Sequence, residues 1–140
     1  MKQYPSKLRF KKYHRPKKSF QSLVDNKNFF PKNSYYGLKA LSSGKITFKQ
    51  IEAGRRTIRR AISKKSKIRI NIFTSFSKTK KPVSSRMGKG KGEHYLWFAP
   101  VKKGKVIFEV ECSDYTVLWK ALSQAGSKLP FKTKIVSVIY

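Results

Sequence analysis

The chain has 140 residues, which is room for one domain. It carries 34 Lys and Arg against 6 Asp and Glu, a formal net charge of +28, so a free-standing globule would repel itself unless a polyanion compensates. At 39% hydrophobic and 14% aromatic residues the chain is too apolar for full disorder, and no apolar run reaches the roughly 18 residues a membrane helix needs.

A single cysteine, Cys112, excludes an internal disulfide framework, and with only His14 and His94 beside it no cysteine-type zinc site is expected. Six acids and two histidines are also poor material for acid–base chemistry. The expectation is therefore a protein that is not an enzyme and uses no cofactor or metal. Among polyanions, acidic lipid is usually met by one basic amphipathic helix. Here the cations run from Lys2 to Lys134 with aromatics between them, which points to nucleic acid. Only eight of the 34 basic residues are arginine, and Ile, Phe, Tyr and Asn are frequent, a composition expected of an AT-rich genome.

Residues 1–34 read as a basic extension. Lys7, Arg9, Lys11, Lys12, His14, Arg15, Lys17 and Lys18 are interleaved with Phe10, Tyr13 and Phe20, and Pro5, Pro16 and Pro31 discourage a long helix. Such a tract is expected to order on a polyanion. Residues 35–140 read as a single α+β domain. Residues 35–41 form a short strand, and Ser42-Ser43-Gly44 a turn. Thr47 and Gln50 make a capping box that opens a helix over 48–64. Ile51, Gly54, Ile58, Ala61 and Ile62 recur at helical spacing and should face the core. Arg56, Arg59, Arg60 and Lys64 fall off that stripe as a basic face.

Alternation over 67–73 predicts a half-buried strand. Residues 74–93 are then a loop of unusual length for a compact domain, a kind that tends to be functional. A strand over 95–101, a turn at Lys103-Gly104 and a return strand over 106–111 follow. Ser113 or Asp114 can cap a second helix over 115–127, with Tyr115, Leu118, Trp119, Leu122 and Ala125 as its apolar stripe. Pro130 ends it, and 132–139 alternates as a closing strand. Two helices packed on one face of a mostly antiparallel sheet are expected. Trp97 and Trp119, both on apolar patterns, are assigned to the core.

The segment Arg86-Met87-Gly88-Lys89-Gly90-Lys91-Gly92 carries the strongest functional signal. Alternating glycines permit positive φ and close backbone approach, and Lys89 and Lys91 add charge, giving a cationic finger suited to phosphates. It lacks the GxxxxGK[ST] pattern of a mononucleotide loop, and the next element is a strand rather than a helix.

RMGKGKG followed by Trp97 resembles the signature of the large-subunit ribosomal protein L-sixteen family. RFKKYHR at 9–15, YGLKAL at 36–41, ITFKQIEAGRR at 46–56, KKP at 80–82 and LPFKTK at 129–134 are similar to that family's other motifs, in the same order and over essentially the whole chain. The chain departs in a longer segment between His14 and Tyr36, in Pro16, Lys17 and Lys18 where glycines are usual, in Gly54 and Asn71 where alanine and arginine are common, and in TSFS at 74–77.

The resemblance implies an α/β hammerhead-like α+β fold and a structural role in the large ribosomal subunit, with large-subunit rRNA, aminoacyl-site tRNA and neighbouring ribosomal proteins as partners. It implies no membrane and no homo-oligomer. Arg55, Arg56, Arg59, Arg60, Lys80, Lys81 and the amino-terminal tract would bind rRNA. The loop from Arg86 to Gly92 would lie nearest tRNA and the peptidyl transferase region, and the arginine matching Arg86 is hydroxylated in some bacterial members. Composition and divergence together suggest a mitochondrial ribosome, with a plastid or the bacterial cytoplasm as alternatives. The alternative in another class is a free-standing basic RNA-binding or chaperone protein.

Overall fold

A computed structural model describes residues 36–137 continuously, together with 5, 8–12, 14, 30 and 31. Among these residues seven strands and two helices follow in the order β1 (Tyr36–Ala40), β2 (Gly44–Thr47), α1 (Phe48–Ala61), β3 (Lys67–Ile70), β4 (Phe76–Lys80), β5 (Glu93–Val101), β6 (Val106–Glu111), α2 (Tyr115–Gly126) and β7 (Thr133–Ser137). The α+β class expected from the sequence is the class observed. The strands form two antiparallel sheets rather than one: β3-β6-β1-β7 and β2-β5-β4.

Two strands were not foreseen. Gly44–Thr47 sits within the expected turn and helix start, yet pairs with Phe98–Val101. Phe76–Lys80 lies inside the stretch read as one loop of residues 74–93, yet pairs with the first half of β5 and shortens the loop to 81–92. Neither segment has enough apolar alternation to announce itself. Each is held by backbone pairing to β5, a long-range partner that local pattern does not reveal.

The helices sit together against the four-stranded sheet. Thr47 opens α1 as expected, its N–H donating to Gln50 Oε1 at 2.9 Å. Ile51, Gly54 and Ile58 are buried along α1, and Ile62 just beyond it, while Ala61 is exposed, against expectation. Along α2 the buried face is Leu118, Ala121, Leu122 and Ala125. Tyr115 and Trp119, placed in the core by spacing, flank that face and stand half exposed.

One core joins both sheets. Ile46, Ala99 and Val101 from the three-stranded sheet belong to the same buried cluster as Leu38, Phe108, Val110 and the helix residues. Phe108 is at its centre, and a Cβ on Gly54 would lie 3.0 Å from the Phe108 ring, so glycine is what lets α1 come down onto β6. The Lys103-Gly104 turn forms as expected, with Gly104 at φ +90° and its N–H bonded to Ala40 O at 2.8 Å.

Gly54→Val is therefore expected to lower unfolding free energy by about 1–3 kcal/mol through overpacking against Phe108. Urea unfolding would show it as a lower midpoint, and an unchanged midpoint would mean α1 can lift from the sheet without cost.

Candidate nucleic-acid interface

Three elements present the cations singled out in the sequence. The first is α1. Its arginines are organised by one acid: Glu52 accepts from Arg55 Nε at 2.8 Å and Nη2 at 2.7 Å, and from Arg56 Nε at 3.0 Å. These i,i+3 and i,i+4 contacts put one acid within a face whose residues Arg56, Arg59, Arg60 and Lys64 are all basic. Hydrogen bonding from Arg55, above all, holds the Glu52 carboxyl down to about 2, against the opposing effect of burial, and raises the Arg55 pKa in return.

Arg55 is half buried, whereas Arg56 and Arg60 are exposed. Arg59 turns toward the end of its own helix, where Nη1 donates to Ser66 O at 3.0 Å and Lys64 O at 3.3 Å. These carbonyls belong to the turn that follows Ala61, so Arg59 ties that turn back onto its helix. Arg60 faces a groove shared with Thr57, Gln124, Ser127 and Lys128, which adds Lys128 of the α2 end to the basic surface.

The second element is the finger between β4 and β5. Every residue from 81 to 91 is exposed, and Met87 is fully so. Gly88, Lys89 and Gly90 take φ of +103°, +51° and +75°, three successive left-handed residues of which only one has a side chain. At its base a Cβ on Gly92 would lie 2.7 Å from the Lys80 backbone, so the two legs of the finger touch. Lys81 Nζ donates to Gly88 O at 2.6 Å across the loop. Lys80 Nζ stands 5.4 Å from the ring centroid of the exposed Tyr95.

The third element is the amino-terminal tract. Arg9, Lys11, Lys12 and His14 are exposed, while Lys7, Arg15, Lys17 and Lys18 lie outside the described residues. Lys12 Nζ donates to Lys91 O at 3.3 Å, so the structure brings the tract and the finger together. The α1 arginines are a separate cluster. His94, at the root of the finger, bonds Ser77 through Nδ1 at 2.7 Å and lies 4.6 Å from Trp97, a structural setting. Among the described residues no cluster of His, Cys, Asp or Glu could hold a metal, and no helix is long and apolar enough to cross a membrane.

Fold and charge together define a polycationic α+β domain with a glycine–lysine finger. The chain belongs to the ribosomal protein L16p/L10e family, whose model matches residues 2–136. It is 42% identical over 132 residues to the large ribosomal subunit protein uL16 of Corynebacterium urealyticum, covering 94% of each chain. It is 39% identical over 140 residues to that of Carsonella ruddii, covering 96% of this chain and 98% of the relative, and 40% identical to that of Leptospira biflexa over 94% of each. This is a family of structural ribosomal proteins and not of enzymes.

The Glu52 bracket has a pH signature. Its folded pKa lies below the ordinary 4.5, so its stabilisation is complete above about 4.5 and is lost as pH falls toward about 2. Thermal melts of the wild type should fall in Tm across that window, and Glu52→Gln should flatten the fall. An identical acid limb in both proteins would remove Glu52 as its source.

Proposed function

We propose that the chain is a structural constituent of the large ribosomal subunit that binds large-subunit rRNA and helps seat aminoacyl-site tRNA. The observation that carries this reading is the finger itself: exposed, cationic, left-handed at Gly88–Gly90, and mounted on the rigid β4–β5 pair. The names of the relatives, all large ribosomal subunit proteins, support the subunit.

Two kinds of contact follow from the chemistry. Arginine on a helix makes fixed, bidentate phosphate contacts, so Arg56 and Arg60, with Arg55 oriented beside them, hold rRNA in register. Arg9, Lys11, Lys12, Lys80 and Lys81 extend that rRNA surface, and Lys12 ties it to the finger. Lysines on a glycine loop make adjustable point-charge contacts, so Lys89 and Lys91 meet tRNA beside the peptidyl transferase region. Neighbouring ribosomal proteins complete the set of partners, and the chain acts as one copy per subunit. We read its lysine-rich composition as that of a mitochondrial ribosomal protein, with a plastid or the bacterial cytoplasm as alternatives, of which its bacterial relatives fit the second.

The test is sedimentation of native lysate on sucrose gradients, with the chain followed by mass spectrometry. The wild type should be confined to large-subunit and monosome fractions at one copy per subunit. Arg56→Glu with Arg60→Glu should move most of the chain to light fractions. Lys89→Ala with Lys91→Ala should leave incorporation intact and slow tRNA accommodation. A wild-type chain spread through the light fractions at moderate salt would instead identify a free-standing RNA binder. Equal incorporation losses for the two pairs would end the division of labour between helix and finger.

A further inference from the structure

Tyr95 has no role in the reading above, yet the fold sets it apart. β5 pairs with β4 through Lys78↔Leu96 and then Thr79↔His94, so Tyr95 is the extra residue of a β-bulge. A bulge re-aims side chains locally. Here it lets His94 turn inward to the buried Ser77, with Nδ1 2.7 Å from Ser77 Oγ, and to Trp97. Lys78 and Lys80 alternate with Ser77 and Thr79, so they share the outer face of β4. Tyr95 joins that outer face: the Lys80 ammonium stands over its ring, 5.4 Å from the centroid, and the residue remains 59% exposed. The result is an aromatic ring fixed on a sheet at the root of the finger, where it seals no core.

The surroundings select the occupant. From Lys78 to Lys91 the chain holds six cations and no acid. The nearest acid in sequence, Glu93, lies opposite Lys80 in the register, but among the described residues it has no ion pair, and the Lys80 ammonium goes to the ring instead. The ring quadrupole attracts a cation placed over its face, which holds ring and ammonium together. An exposed aromatic on a sheet surface with cations beside it is the arrangement on which an unpaired base of RNA stacks. An acidic peptide would use the lysines and leave the ring face unused.

We propose that Tyr95 is a stacking platform for an unpaired base of RNA, with Lys80 meeting the adjoining phosphate. This site rests on the RNA-binding reading above and adds to it a base contact at the root of the finger, where that reading has phosphate contacts alone.

The test uses the full chain and a labelled single-stranded oligoadenylate, with an abasic oligomer of the same length as control. Tyr95→Leu should weaken oligoadenylate binding about tenfold, the loss expected of one stacked base, and should leave abasic binding unchanged. Tyr95→Phe should restore binding to within about threefold. Because the ring is exposed, the urea midpoints of both variants should match that of the wild type. Lys80→Gln should reduce the salt slope by about 0.7 for either oligomer, the share of one phosphate of a single strand. A photoreactive thiouridine placed in the oligoadenylate should crosslink to Tyr95 in the wild type, as mapped by mass spectrometry.

Unchanged oligoadenylate affinity in Tyr95→Leu, or an equal loss for the two oligomers, would overturn the site. A polyglutamate peptide whose binding Tyr95→Leu weakens as much as that of oligoadenylate would overturn it in favour of an acidic protein segment. The ribosomal reading fails separately: a chain absent from subunit fractions whose Tyr95 still discriminates oligoadenylate from the abasic oligomer keeps the platform and loses the placement.

Discussion

Thirty-four basic side chains share this chain with six acids, and the fold has already committed some of those acids. Glu52 is bracketed by Arg55 and Arg56, and Glu109 is 2% exposed and bonded to Asn71 Nδ2 at 2.5 Å. Lys67 and Glu111 form a loose pair at 4.0 Å. What remains is a surface that repels itself. Every other feature answers that constraint. The apolar material is concentrated into one cluster around Phe108, which has to outweigh the repulsion, and the cations are displayed where an external polyanion can neutralise them.

The same constraint explains which cations face outward. Lysine near the core is costly: Lys39 is almost buried, and burial, with Lys134 as the second cause, lowers its pKa. Some cations also serve the fold: Arg59 past the end of α1, and Lys81 across the finger, each donate to a backbone carbonyl. Arg56, Arg60, Lys89 and Lys91 are exposed on elements of different stiffness. A helix holds a guanidinium in place, and a glycine loop lets an ammonium group search. That difference in stiffness, more than the total charge, separates a placement surface from an adjustable one.

Much of this was legible in the sequence. The start of α1, the extent of α2, the β5–β6 hairpin and the closing strand followed from 3.6- and 2-residue periodicity and from the Thr47–Gln50 and Gly104 signals, whereas α1 ends at Ala61 and not at residue 64. The finger from Arg86 to Gly92 was legible because alternating glycines permit a left-handed run, here Gly88 and Gly90 on either side of Lys89. Three things were not. β2 (GKIT) and β4 (FSKTK) each have one large apolar residue and exist because β5 is long enough to pair on both sides. The Glu52 bracket was readable from spacing but was masked by the excess of positive charge around it. Tyr115 and Trp119 fit an apolar stripe yet fall at its margin, because Ala121 takes the core position and the edge strand β7 leaves that side of the helix uncovered. Periodicity reports which residues are apolar, and not how far the neighbouring sheet extends.

The central claim is that this domain is completed by phosphate contacts distributed over α1, the finger and the amino-terminal tract. The most direct measurement is the salt dependence of the affinity of the purified chain for large-subunit rRNA. At about 0.7–0.9 per phosphate neutralised, contacts from Arg9, Lys11, Lys12, Arg56, Arg60 and Lys80 predict a log–log slope of roughly −4 to −5. A slope near −1 would mean that one or two charges suffice, and that the basic surface is not the surface that binds.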